Sequence, residues 1–304
     1  MADPIRIAAA VLNYRSPDDT LQAVGSLIES TRRLDEIIVV DNDTVGTARR
    51  HDASPASGVK YLHTGRNLGF SGGVNVGIRA ALAAGADAVL LLNSDVMLAP
   101  TAVEHLERAL LVGRDVGIVG PVVVSPLKPD TVVSAGISYR AATGRMRQRD
   151  AGVSVASVAG RGDVLVTAIS GCAVLIDHRV FESIGFFDED YFYSFEDIDF
   201  CIRARRAGFR SIVAGAALAY HSGSRSIGPT SPRRLYFASR NHLLMAKRTT
   251  PARLPLAQTC RASMIFALNL AHAAKPAGGA LSDRIAAVVR GARDYVAGRY
   301  GPDR

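Results

Sequence analysis

Apolar runs at residues 5–12, 36–40, 59–63 and 88–92 each end at a polar or acidic cluster, and helical patterns at 17–30, 71–84 and 100–111 stand among them. The runs are nearly continuous rather than alternating, as expected of strands covered on both faces. That rhythm is the signature of βαβ units around a mostly parallel sheet. It predicts an α/β fold. A fifth run at 117–124 continues the sheet, and 127–165, rich in Gly, Ser, Arg and Asp, reads as an excursion of short strands and loops. Beyond it, 166–177 is strand-like, 180–184 a short helix, 195–207 a helix and 211–221 a strand.

After Pro232 the pattern changes to Arg-rich amphipathic helices at about 233–247, 253–273 and 281–298. The expected division is therefore a large domain, 1–230, and a basic helical C-terminal region, 231–304. With 304 residues, 48% of them hydrophobic, the chain is long enough for one sizeable core. Charge follows the same boundary. Residues 1–231 carry 23 Lys and Arg against 25 Asp and Glu, whereas residues 232–304 carry 13 against 3. A basic tail suits an anionic membrane face or a phosphorylated acceptor. It is no argument for nucleic acid, because it holds no binding motif and few aromatics to stack bases. The three cysteines form no CxxC pair or disulfide framework, and no apolar run approaches the ~20 residues needed to span a bilayer. Both point to a cytoplasmic protein, with peripheral contact at the inner membrane face left open.

In open α/β sheets ligands gather at the carboxyl ends of strands. Asp41-Asn42-Asp43, the segment from Asn67, and Asn93-Ser94-Asp95 all lie there. The glycines of 65–73 open a helix whose backbone N–H groups can approach a diphosphate, although no Walker or GxGxxG pattern occurs. Asp95 can hold a hard divalent cation together with diphosphate oxygens, given a partner such as His221.

In Phe186–Asp199 six aromatics alternate with six acids before a helix starts. Ser194 could cap that helix, with Glu196 and Asp197 simply favouring its first turn. At ~100° per residue, however, Asp197 shares a face with Phe200, Cys201 and Ala204, opposite an expected wet face of Glu196, Asp199, Arg203 and Arg206. A carboxylate on the apolar face suits a general base in a cleft.

The landmarks VLNYRS, IIVVDND, GRNLGFSGGVNVGI, VLLLNSDV, SGCAVLIDHRVFESIGFFDEDYFYSFEDIDFCIRARRAGFR, AYHSGSRS and RLYFASRNHLL occur in order over residues 5–248. Together they resemble the family 2 inverting glycosyltransferases, nearest the bacterial rhamnosyltransferase-like branch. The resemblance implies a GT-A fold, a Rossmann-like nucleotide-sugar half merged with an acceptor half. It implies that Asp41 contacts the nucleotide base, that Asn67, Gly69 and Asn75 line the nucleotide pocket, and that Gly171 lies beside the donor sugar. Asn93-Ser94-Asp95 stands for the family's Asp-x-Asp with its first Asp replaced, so Asp95 and His221 would bind Mg or Mn. Glu196-Asp197 matches the acidic pair whose Asp is the base, and Asp188 and Glu189 are assigned to orienting the acceptor.

The implied activity is transfer of a sugar, rhamnose first, from a nucleotide-diphosphate donor to a glycan or lipid-linked acceptor, as in cell-surface polysaccharide or cell-wall assembly. A homodimer is left open. Two other readings are a non-catalytic nucleotide-sugar binding module and a nucleotidyltransferase. Retention of Asp95 and Asp197 argues against the first, and the absence of Lys from residues 8–20 against the second.

Overall fold

A computed structural model of the chain describes residues 5–46, 58–223, 231–249, 255–275 and 280–303. The expected alternation is present: β1 (Ile7–Asn13), α1 (Pro17–Ile28), β2 (Glu36–Asp41), β3 (Val59–His63), α2 (Gly69–Ala83), β4 (Ala88–Asn93), β5 (Val96–Leu98) and α3 (Ala102–Leu110). Next come β6 (Val116–Ser125), β7 (Lys128–Ser134), β8 (Ile137–Arg140), β9 (Arg145–Gln148), α4 (Val155–Ala159), β10 (Val164–Val166), β11 (Ala173–Asp177) and α5 (His178–Ile184). The chain continues through α6 (Glu196–Arg206), β12 (Arg210–His221), α7 (Pro232–Thr249), α8 (Pro255–Ala273) and α9 (Leu281–Val296).

The main sheet runs β10-β12-β6-β11-β4-β1-β2-β3, with β5 beside β12 and β7 beside β6. The β3-β2-β1-β4 half is parallel, as is the β12–β6 pair. β11 enters antiparallel between β4 and β6. The single strand expected over 166–177 is in fact two, broken at Ser170-Gly171-Cys172, and that break later matters for the site.

Alternate residues of β1 feed two cores. Ala8 and Ala10 face one beneath α2, with Val74 and Ile78; Ile7, Ala9 and Val11 face another beneath α1 and α3, with Leu27 and Leu106. This double burial is what the continuous apolar runs encode. Each fully buried Val, Leu or Ile contributes roughly 1.5–3 kcal/mol of transfer from water. Close approach of α2 depends on small residues, since a Cβ at Gly77 would lie 2.7 Å from that of Ala10.

The expected domain edge at 230/231 abuts residues 224–230, which lie outside the described residues. Beyond it, α7 packs on the main domain. Its Leu244 and Met245 join the core beneath α2, and Leu235, Tyr236 and Phe237 pack on Phe192 and on Val288 of α9. No helix among the described residues is long and apolar enough to cross a membrane.

Candidate active site

Two cavities open at the carboxyl ends of β1, β2 and β4. One, about 720 Å³, is lined by Tyr14, Arg15, Asn42, Asn67, Gly69, Asn93, Asp95 and Arg233, among others. The second, about 1050 Å³, is lined by Gly171, Glu196, Asp197, His221, Arg145, Arg147, Arg234 and His272, among others. Phe70, Asn93 and Tyr193 line both, so the two share a wall. Asp95 and Asp197 therefore face adjoining spaces, not separate surfaces.

Asp95 follows the apolar β4 and precedes β5, which pairs antiparallel with the end of β12 and sets His221 opposite Val96. The pairing brings His221 Nε2 to 3.2 Å from Asp95 Oδ2. Among the described residues no three His, Cys, Asp or Glu side chains cluster as a full metal cage. One carboxylate oxygen and one imidazole nitrogen, side by side at a cavity wall, nevertheless fit a Mg or Mn ion that takes its remaining ligands from phosphate oxygens and water.

Asp197 is held by backbone N–H groups on both oxygens: Gly171 N donates to Oδ2 at 3.1 Å and Ile198 N to Oδ1 at 2.8 Å. The Gly171 donor is supplied by the break between β10 and β11. Burial still pushes the Asp197 carboxyl above the usual carboxylate range, against the pull of those two bonds. Glu196 differs: it is 6% exposed, and its Oε2 is buried without a hydrogen-bond partner. Burial, then the neighbouring Asp197 charge, drives its pKa well above the usual carboxylate range. The buried thiols of Cys172 and Cys201 are pushed up to about 11 and about 12, which leaves them protonated and poor nucleophiles.

Several expectations need correction. Glu196 and Asp199 do not form a wet face; both are buried, because the 186–195 loop folds back over that side of α6. Asp199 accepts from Tyr191 Oη at 3.2 Å and from Arg203 Nε at 2.8 Å, and Arg203 donates to the carbonyls of Ile184 and Phe186. Ser194 is not the helix cap; Phe195 occupies that position in a left-handed conformation, with no side-chain bond. Asp41 is 1% exposed, accepts from Asn13 Nδ2 at 2.9 Å, and lines neither cavity. Asn75 likewise lies beneath the wall, bonded to the backbone of Phe187 and to Glu189. Asp188 pairs with Arg248, and neither it nor Glu189 reaches a cavity. In place of Asp41 it is Asn42 that faces the smaller cavity, donating to the Gly69 carbonyl at 2.8 Å and accepting from Leu68 N at 2.9 Å.

The reading of motifs missed Arg240 and Asn241. Both are fully buried on α7. Asn241 Nδ2 lies 2.7–2.9 Å from the carbonyls of Tyr191, Tyr193 and Ser194, and Arg240 donates to those of Asp190 and Tyr191. The loop they hold is strained, with φ of 58° at Phe192, 71° at Ser194 and 77° at Phe195. Such residues cost of order 1–3 kcal/mol each. Buried bonds to a charged or amide donor, worth about 1–3 kcal/mol apiece, offset this on the same scale. From the other side, Phe70 N donates to the Phe192 carbonyl at 2.6 Å. Gly69 must stay glycine there, because its φ is +73° and a Cβ would meet that carbonyl oxygen at 2.3 Å. The sequence signal for this clamp was a run of polar residues, 239–242, between apolar segments of α7, inside the landmark RLYFASRNHLL.

A mixed α/β sheet with paired cavities at its strand ends, one lined by Asp95 and the other by His221 and Asp197, with the Asp95–His221 contact joining them, defines a GT-A type of site. A mannosyltransferase from Pyrobaculum calidifontis, solved with GDP-Man and Mn2+, shares the fold at a TM-score of 0.56 and 15% identity, over 96% of this chain and 87% of that one. The family model described as glycosyltransferase-like family 2 matches residues 4–243, so the chain belongs to glycosyltransferase family 2. An N-acetylglucosaminyl-diphospho-decaprenol L-rhamnosyltransferase of Mycobacterium tuberculosis is 25% identical over 295 residues, 89% of this chain and 93% of the relative. A low-salt glycan biosynthesis hexosyltransferase of Haloferax volcanii is 27% identical over 210 residues. That match covers 66% of this chain and 62%, less than two thirds, of the relative.

Proposed function

We propose that this protein is an inverting glycosyltransferase that moves a sugar, rhamnose first among the candidates, from a nucleotide-diphosphate donor onto a hydroxyl of a glycan or lipid-linked acceptor. The observation that carries this reading is the pair of adjoining cavities, with Asp95 lining one, Asp197 lining the other, and His221 of the second cavity in contact with Asp95. Rhamnose rests on the mycobacterial relative, whose name also specifies a diphospho-lipid acceptor.

The smaller cavity takes the nucleotide diphosphate, with Asn67, Gly69 and Asn93 on its wall and Arg15 and Arg233 supplying positive charge for phosphate oxygens. Asp95 and His221 would hold Mg or Mn, whose chemistry is to neutralise negative charge on the diphosphate. The acceptor enters the larger cavity. Asp197, its carboxylate oriented by Gly171 N and Ile198 N, removes the acceptor hydroxyl proton as that oxygen bonds the anomeric carbon. The bond to the diphosphate oxygen breaks on the opposite face, so configuration inverts and no sugar–protein intermediate forms. Glu196, its carboxyl held above the usual range by burial, lines the same cavity and is placed to orient the acceptor.

A melting-shift screen against nucleotide-diphosphate sugars with Mn2+, followed by turnover with the sugar that binds, tests the assignment. A dTDP-sugar should give the largest shift and an inverted product. Binding without any turnover across acceptor classes would indicate a binding module, and retained configuration would remove the single displacement.

A further inference from the structure

α8 carries apolar residues on a side that is exposed among the described residues. Arg261, Ile265 and Ala273 are buried toward α7 and α9. Leu256, Ala257, Cys260, Met264, Ala267, Leu268 and Ala271 are all exposed, Leu256 at 77%, Met264 at 37% and Leu268 at 41%. At ~100° per residue these seven fall within about 120° of arc, a continuous stripe. A surface helix ordinarily turns such a stripe inward; an exposed one marks an interaction face.

Charge identifies what it faces. α8 contains no Asp or Glu, and its one Arg, Arg261, is turned inward to the Ala246 carbonyl and Tyr139. Exposed lysines stand beside its two ends, Lys247 closing α7 and Lys275 just past α8. Of the three acids after residue 231, Asp294 is engaged by Tyr236 and Arg299 and Asp303 by Arg290, while Asp283 is exposed in the first turn of α9, off α8 itself. An apolar stripe bordered by cations and free of acids complements an anionic lipid surface, the apolar side chains entering the headgroup–acyl boundary and the lysines meeting phosphates. The helix is not one that could span.

The stripe also leads to the site. Leu268, Asn269 and His272 of α8 line the same cavity as Asp197, with Arg145, Arg147 and Arg234 on its rim. We infer that α8 lies in the plane of an anionic bilayer and opens the acceptor cavity toward the headgroups. The second clause rests on the acceptor reading above; the docking does not.

The test uses the full chain with an environment-sensitive dye on Cys260, the exposed thiol, since Cys172 and Cys201 are buried. Vesicles of phosphatidylglycerol and phosphatidylcholine should shift the emission to the blue and co-sediment the protein, and vesicles of phosphatidylcholine alone should do neither. Leu256→Glu combined with Met264→Glu should lower the bound fraction at least tenfold while leaving the melting shift caused by donor intact. Lys247→Glu with Lys275→Glu, which spares the apolar stripe, should weaken binding and flatten its salt dependence. Equal binding to both vesicle types, or none to either, overturns the inference. So does a dye response that grows with protein concentration without lipid, which would give the stripe to a second copy. Because binding is read without turnover, failure here is distinguishable from failure of the transferase assignment.

Discussion

Asp95 and His221, 126 residues apart in the chain, meet at 3.2 Å because β5 pairs with the last residues of β12. Neither is a metal site alone. Their juxtaposition gives a first testable expectation. EDTA should stop turnover and Mn2+ or Mg2+ restore it. Asp95→Ala should lower kcat by at least about 100-fold, since it removes the carboxylate of the Asp95–His221 pair. His221→Ala should chiefly raise the Mn2+ concentration needed for half-activity. Full activity in metal-free buffer would remove the metal role.

Asp197→Asn keeps the shape and removes the base. Loss of a positioned general base costs about 10²–10⁴ in rate, so kcat should fall by that much with donor affinity unchanged, as read by the melting shift. In the wild type, burial raises the Asp197 pKa. The acid limb of the kcat/KM profile should therefore lie above the ordinary carboxylate range, activity rising with pH as Asp197 loses its proton. A limb at or below pH 4 would contradict the buried base.

Glu196 makes the opposite kind of prediction, about stability. Burial raises its folded pKa, so as pH rises the folded state holds its proton to a higher pH than the unfolded chain does. Stability from this group is complete below its unfolded pKa and declines as pH climbs toward the folded value. Glu196→Gln removes that penalty. It should raise Tm at pH 8 more than at pH 4. Melting curves at the two pH values check this.

Asn241 and Gly69 hold the strained 192–195 loop from opposite sides. Asn241→Ala takes the amide donor from the part-buried Tyr193 and Ser194 carbonyls, at about 1–3 kcal/mol each if left unpaired, while that of Tyr191 keeps Arg240. Gly69→Ala forces a Cβ against the Phe192 carbonyl. Both variants should lose stability by guanidinium denaturation. Folded Asn241→Ala should also lose kcat more than donor affinity, because the loop leads directly into Asp197. A parallel loss of both would assign the clamp to folding alone.

The βαβ rhythm, the bounds of β3 and the approximate limits of most helices were legible in the sequence, because apolar periodicity reports burial directly. Asp95 and Asp197 stood out as carboxylates where a strand or an apolar helix face should have none. The role of Glu196 was not readable in that way. Helical periodicity assigned it and Asp199 to solvent, and only the folded-back 186–195 loop buries them. Asp41 and Asn75 look like pocket residues in a motif, yet β1 packs against one and the turn at Phe187 against the other.

What the chain order determined by itself is therefore the layered sheet and the residue types able to handle a metal, a diphosphate and a proton. Tertiary structure alone decided which of them face the same space: the β5–β12 pairing for His221, the Gly171 break for Asp197, and the burial of Arg240 and Asn241 beneath a strained loop. Each depends on contacts between segments tens of residues or more apart, and local sequence patterns carry no information about such distances.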